Sequence, residues 1–149
     1  MIERTLVLIK PDGIAAGLEN EIKERLTATG LEIVAEKVEQ ADAAMASLHY
    51  DDLDVRKSPE IKQIMVDFLS SGSVEALIVE GENAIAETRR IIGATEPISA
   101  DKGTIRGDLA TDSYNAANGE NRALLNLVHA SDSPENAARE IQLWFPEVA

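Results

Sequence analysis

The chain has no cysteine, and its 149 residues include only two histidines, two tyrosines, two phenylalanines and one tryptophan. Without thiols, disulfides and thiolate metal sites are excluded. Positive charge is also scarce: 14 lysines and arginines face 27 acidic residues, a net charge of −13. Such a surface repels nucleic-acid backbones and anionic membranes, so neither is expected as a partner. Long apolar runs are missing too. The run Leu6 to Ile9 is cut by Lys10 and Pro11, far too short for a signal or membrane segment, and a cytoplasmic protein is expected. What is left is one domain over residues 1–149, long enough to bury roughly 70% of the surface its unfolded chain exposes. Small anions can still bind where the few basic residues gather. Lys10, Arg89, Arg90 and Arg106 all adjoin turn-like segments.

In chain order, Thr5 to Lys10 (TLVLIK) reads as a first strand, stopped by the turn signal Pro11-Asp12-Gly13. Leu18, Ile22 and Leu26 mark an amphipathic helix that ends at Gly30. Leu31 to Gln40 alternates apolar and polar residues as a half-exposed second strand does. Asp42 caps a helix over Ala43 to Leu48, and Ser58-Pro59 opens another that runs to Gly72. Val74 to Val79 is more continuously apolar and is expected at the centre of the sheet. A helix over Ala84 to Ile92 carries Arg89 and Arg90 in its last turn. Ala94 to about Ala123 is a long polar excursion, with some short helix expected in it, and a loop of that length inside a compact domain is usually functional. Leu124 to Val128 reads as strand four, and Ser133-Pro134 opens a last helix. Strands alternating with helices around a short sheet point to an α+β sandwich of the ferredoxin-like kind, a four-stranded antiparallel sheet with helices packed on one face. A doubly wound parallel sheet is the alternative.

His129, in the stretch Asn126 to Asp132 (NLVHASD), is expected where that fourth strand meets a turn. A neutral imidazole there can act as nucleophile, base or ligand, or can simply be satisfied by a backbone carbonyl. Its significance comes from the company it keeps. Lys10, Arg89 and the GTIRGD segment with Arg106 lie on segments that strand ends can bring together, and cations gathered beside a histidine are the signature of a phosphate pocket.

Ile9 to Gly13 (IKPDG), Gly103 to Asp108 (GTIRGD) and Asn126 to Asp132 (NLVHASD) resemble the signature segments of the nucleoside diphosphate kinase family. His49-Tyr50, Leu77 to Gly81, Gly93 to Pro97 and Glu140 to Pro146 follow the same family order. The resemblance implies an enzyme that transfers a γ-phosphoryl group from a nucleoside triphosphate to a nucleoside diphosphate by a ping-pong route through His129. It implies that Glu140 fixes the histidine tautomer and that Tyr50 stands beside the ring. Arg89, Thr95 and Arg106 match the phosphate clamp, and Lys10 and Asn126 match contacts to the ribose hydroxyl and terminal phosphates. Mg²⁺ is expected to ride mainly on the nucleotide phosphates, with no metal-ligand set in the protein, and a homo-oligomer is expected, a hexamer or tetramer built from dimers. The alternative function is a catalytically weakened nucleotide-binding regulatory module on the same fold.

The chain departs from the family pattern in several places. Where the family stacks an aromatic residue on the base, this chain has Ile61, with Glu60 the other candidate. The segment Leu109 to Leu125 is longer by about ten residues, and Ala16 and Asn20 replace a common arginine and glycine. Asn126 and His129 are three apart, so strict strand alternation sends them to opposite faces. A shared pocket therefore requires an irregular backbone at or near His129, and a regular strand through residue 130 counts against it.

Overall fold

The centre of the sheet is built from the two segments that are apolar on both sides. In the computed structural model, which describes residues 1–148, β1 (Ile2–Ile9) and β3 (Val74–Glu82) run antiparallel along their whole length. They are flanked by β2 (Glu32–Glu39) and β4 (Val128–Ala130) in the order β2-β3-β1-β4. Every neighbouring pair is antiparallel, which is the ferredoxin-like arrangement and not the parallel alternative.

Successive side chains of β1 alternate between two cores. Val7 and Ile9 join the one built with α2 (Glu19–Thr27), α6 (Ala84–Ile92) and α7 (Ile105–Leu109). Leu6 and Leu8 join the other, with α3 (Ala43–His49), α5 (Pro59–Leu69) and α9 (Pro134–Trp144). Helices therefore cover both faces, not the single face expected. The reason is legible in hindsight: a strand buried on both sides loses its polar alternation, as TLVLI and VEALIV have. Edge strand β2 keeps its alternation and is exposed at every second residue.

Helix starts follow their caps. Asp42, Ser58, Thr104, Ser113 and Ser133 each accept a hydrogen bond from a first-turn amide, at 2.8 to 3.1 Å. The excursion after α6 contains a 3₁₀ turn (Pro97–Ser99), α7 and α8 (Tyr114–Gly119). Two further short helices occupy stretches read as a turn and as a charged segment: α1 (Pro11–Ala15) and α4 (Leu53–Arg56).

Strand four differs from expectation. The pairing begins at Val128, where the apolar run was expected to end, and continues regularly to Ala130 opposite Val7. Leu124 and Leu127 are buried without being part of the ladder. Burial drives apolar composition whether or not the backbone is paired, so composition alone misplaced the strand. His129 is thus the middle residue of β4, opposite Leu8, and not at a strand-to-turn junction.

Candidate active site

Directly opposed residues of an antiparallel pair point to the same face. His129 therefore faces the core of Leu6 and Leu8, where α9 packs. On α9 the buried positions are Ala137, Glu140 and Trp144, the three- and four-residue spacing of one helical stripe. Glu140 is thus carried into the interior by its neighbours' hydrophobicity and is 4% exposed, rather than standing in solvent as a helix carboxylate ordinarily does. Its Oε1 meets His129 Nε2 at 2.6 Å and accepts from Ser131 Oγ at 2.8 Å. An ionised carboxylate can only accept, so the neutral imidazole carries its proton on Nε2 and keeps an unprotonated Nδ1.

His129 lines a cavity of about 320 Å³, with its side chain 23% exposed. Lys10, Tyr50, Arg89, Thr95, Arg106 and Asn126 line the same cavity. A second cavity of about 480 Å³ shares Arg89, Thr95 and Arg106 and extends the cleft along α6. Of the loop cations singled out by sequence, Lys10, Arg89 and Arg106 converge here. Arg90 lines only the second cavity and pairs with Glu87 on its own helix.

Asn126 and His129 share the cavity because the chain reverses between them. Leu127 has φ +73°, and Val128 N donates back to Asn126 O at 2.8 Å, a γ-turn of the strained hand. The irregularity thus lies just ahead of His129. The regular ladder through residue 130, which counted against a shared pocket, is compatible with one once the reversal precedes it. The IKPDG segment grips this turn. Lys10 N donates to Leu127 O at 2.8 Å, and Leu127 N donates to Asp12 Oδ2 at 3.0 Å. A Cβ at Gly13 would stand 3.0 Å from Leu127 O and closer still to Ile9, so only glycine leaves room.

Arg106 holds the turn from the other side. Its guanidinium donates to Asn126 O at 3.1 Å, Val128 O at 2.6 Å and Gly93 O at 3.1 Å. Two of its five N–H groups remain for a ligand. α7 carries Arg106 in its first turn, and Gly107 is required next to it because a Cβ there would collide with the Asp101 carbonyl.

Electrostatically the cavity is a buried cationic site. Lys10 is 4% exposed and donates to Asn126 Oδ1 at 2.5 Å. Burial, only partly offset by Asp12 and reinforced by Arg106, brings its pKa down to about 8. Burial and neighbouring Arg89 lower the Arg106 guanidinium as well, though it stays a cation at neutral pH. Burial pushes the Tyr50 phenol up, with help from Glu140 and Asp12, so its hydroxyl keeps its proton. Thr95 O accepts from Asn126 Nδ2 at 2.9 Å, and Arg89 Nη1 donates to Ala130 O at 3.3 Å.

Ile61 does not line this cavity; it is 43% exposed in the first turn of α5. Met65, one turn further along the same helix, does line it, as do Arg56, His49 and Arg139. Met65 could have been found from its four-residue spacing to Ile61, and His49 from its place in the His49-Tyr50 segment; Arg56 and Arg139 carry no local signal. Among the described residues, the one group with metal-ligand atoms within 4.8 Å of one another is His49, His129 and Glu140. Its carboxylate oxygen Oε1 is already bound to His129 and Ser131.

A carboxylate-backed imidazole among buried cations, set on an antiparallel α+β sheet, is the equipment of a phosphoryl-transfer protein. Comparison with known proteins narrows this class. The chain matches the family model described as nucleoside diphosphate kinase over residues 3–149 and belongs to that family. It is 44% identical over 147 residues to the nucleoside diphosphate kinase of Mycolicibacterium vanbaalenii, covering 98% of each chain. Among solved structures, a nucleoside-diphosphate kinase from Borrelia burgdorferi with bound vanadate and ADP, described as a transition state mimic, superposes with a TM-score of 0.94 at 37% identity, over 97% of this chain and 87% of that one. An NDP kinase from Pyrobaculum aerophilum does so with a TM-score of 0.89 at 34% identity, over 97% and 96%.

Proposed function

We propose that this chain, acting as a single domain, transfers the γ-phosphoryl group of a nucleoside triphosphate to a nucleoside diphosphate through a phosphohistidine at His129. The observation that carries the reading is the 2.6 Å contact between His129 Nε2 and Glu140 Oε1, which leaves Nδ1 with a free lone pair beside three cations. In the first half-reaction Nδ1 attacks the γ-phosphorus, the bond from phosphorus to the β,γ-bridging oxygen breaks, and the diphosphate leaves with that electron pair. The Nε2 proton stays in place and Glu140 balances the positive charge that builds on the ring. The second half-reaction is the same step reversed onto another diphosphate. No proton must be transferred to make the nucleophile, which suits a reaction governed by positioning and charge.

Arg89, Arg106 and Thr95 would clamp the transferring group, and Lys10 and Asn126 would reach the ribose hydroxyl and terminal phosphates. The Tyr50 hydroxyl, held protonated, would donate at the reacting centre. The base would lie over Met65 and, through side-chain movement, Ile61. The carboxylates of the cleft are not arranged as a metal cage, which fits Mg²⁺ arriving on the nucleotide and neutralising charge on its phosphate oxygens. Assembly as a homo-oligomer, a hexamer or tetramer built from dimers, is supported by outward-facing Val34 and Val38 on edge strand β2. No helix among the described residues is long and apolar enough to cross a membrane, consistent with work in the cytoplasm.

The test is incubation with γ-labelled ATP, with His129→Gln as control. An acid-labile, base-stable phosphoprotein that discharges to GDP or CDP is expected. Nucleotide binding with no label on His129 would leave the regulatory-module reading in its place.

A further inference from the structure

Two imidazoles meet in this cleft, and only one of them is backed by a carboxylate. His49, the last residue of α3, stands edge to face with His129, ring centroids 4.4 Å apart and planes at 79°. It is 3% exposed. Its Nδ1 lies 3.0 Å from Trp144 Nε1 on α9. An indole nitrogen can only donate, so Nδ1 must be the acceptor and hold a lone pair. The proton of a neutral His49 is then on Nε2. A doubly protonated ring would set two N–H groups against each other across that same 3.0 Å.

The surroundings press the same way. Lys10 from the end of β1, Arg139 from α9 and His129 from β4 all disfavour a further positive charge, and burial disfavours it most. Tyr50, whose ring is 4.8 Å from that of His49, brings no charge. Of the acids that line the cavity, Asp52, Asp132 and Glu140, only Glu140 groups with both imidazoles, and its Oε1 is held by His129 and Ser131 while its Oε2 lies 3.5 Å from Arg139 Nη2. The Nε2–H of His49 has no hydrogen-bond partner among the described residues. A buried unpaired donor is costly to keep, and its retention beside the nucleophile asks for a reason.

We propose that His49 is a positioning residue for His129, locked by Trp144 as the neutral Nε2–H tautomer so that it walls the nucleophile's ring without competing for a proton, for Glu140 or for the phosphoryl group. Its Nδ1 lone pair is engaged by the indole and its Nε2 lone pair is replaced by a proton, so it has no free electron pair with which to attack phosphorus. Of two adjacent imidazoles, only His129 can become the phosphohistidine. The same logic removes His49 as a metal ligand, because ligation through Nε2 would force a proton onto Nδ1 against the indole N–H. The proposal rests on the phosphohistidine reading for its purpose, but not for its tautomer.

The chain has only two histidines, so a long-range ¹H–¹⁵N spectrum of the nucleotide-free protein resolves both. Both neutral rings are expected as Nε2–H tautomers, and the signals of His49, assigned by their loss in His49→Phe, are expected not to titrate between about pH 5.5 and 8.5. A His49 that protonates in that range, or carries its proton on Nδ1, overturns the proposal. This measurement uses the unmodified protein and is independent of phosphotransfer, so a His129 that never takes label defeats the functional reading without touching it.

The second arm is kinetic. Trp144→Phe removes the indole donor and so lifts one of the restraints on a His49 cation, burial being the larger one that remains. Its kcat/KM for ATP is expected to gain an acid limb, falling at least ~5-fold more between pH 7.5 and 6 than that of the double variant His49→Phe/Trp144→Phe. A tryptophan that served only as core filling would lower Tm in both variants and give both the same pH profile, and that result also overturns the proposal.

Discussion

Lys10 shows what burial does to a charge whose counter-ion, in the proposed function, arrives only with the ligand. In the free protein its pKa sits near 8, whereas nucleotide phosphates would restore the ammonium. Below pH 8 both states hold the proton and ADP affinity is expected to be flat. Above it, binding must take up a proton, and Kd is expected to rise by up to about tenfold per pH unit. Calorimetry from pH 7 to 9.5 checks this, with Lys10→Met expected to remove the slope. Glu140→Gln keeps the shape and an acceptor but loses the charge that balances the ring. A fall in kcat of roughly 10- to 100-fold, with KM for ADP little changed, is expected from steady-state kinetics. His49 adds a pH dependence of stability. Its folded pKa lies well below 6.5, so the unfolded chain takes up a proton that the native state refuses as pH falls below the unfolded value. Unfolding is thereby favoured in acid by up to about 1.4 kcal/mol per pH unit at this one group. Urea denaturation of the wild type and His49→Phe at pH 7.5 and 5.5 should show a smaller acid loss in the variant.

At the scale of elements, the sheet and the capped helices could be read directly, because each rests on local chemistry. The serine, threonine and aspartate caps bond to amides three residues away, and the apolar runs of β1 and β3 need no partner to be recognised. Strand four was displaced by four residues because Leu124 and Leu127 are apolar for the sake of burial, while the ladder begins only after the γ-turn. Positive φ at a leucine has no sequence signal: glycine or asparagine would announce it, and leucine conceals it. The residues of the proposed phosphate site were recognisable because they lie in motifs, whereas the contact of Trp144 with His49 joins residues 95 apart in sequence and exists only in the fold. Two predictions belong at this scale. Asp112 binds Arg122 through both carboxylate oxygens and accepts from Leu125 N at 2.8 Å, bracing the segment directly ahead of the γ-turn. In Asp112→Ala, hydrogen exchange at the Leu125 and Leu127 amides should accelerate by about tenfold or more, while the β1 and β3 amides stay protected. The proposed base-side wall at Met65 is the other case. Met65→Phe should lower KM for ATP and GTP alike by roughly 5-fold, the worth of an aromatic platform of about 1 kcal/mol, whereas a change confined to one base would contradict a purely stacking wall.

The molecule as a whole is strongly acidic around a small cationic cleft, and the −13 net charge opposes the compact state through self-repulsion. Added KCl should raise Tm over the first few hundred millimolar as the Debye length shrinks to a few ångströms; a Tm that falls from the start would show that the ion pairs lost to screening outweigh the repulsion relieved. The γ-turn at Leu127 has a consequence at this scale too. A one-residue slip in a strand sends every side chain to the opposite core, and for His129 that would mean exchanging Glu140 for the apolar packing of α6. The phase of β4 is set afresh at residues 126–128, where Lys10, Asp12 and Arg106 clasp the reversal, so it does not depend on how many residues precede them. The nucleophile's address is written in three residues, and the chain between α7 and that point is free to lengthen. Closing a longer loop costs little, roughly 0.6 kcal/mol for each doubling, and so the stretch leading directly into the histidine can lengthen while the chemistry stays in register.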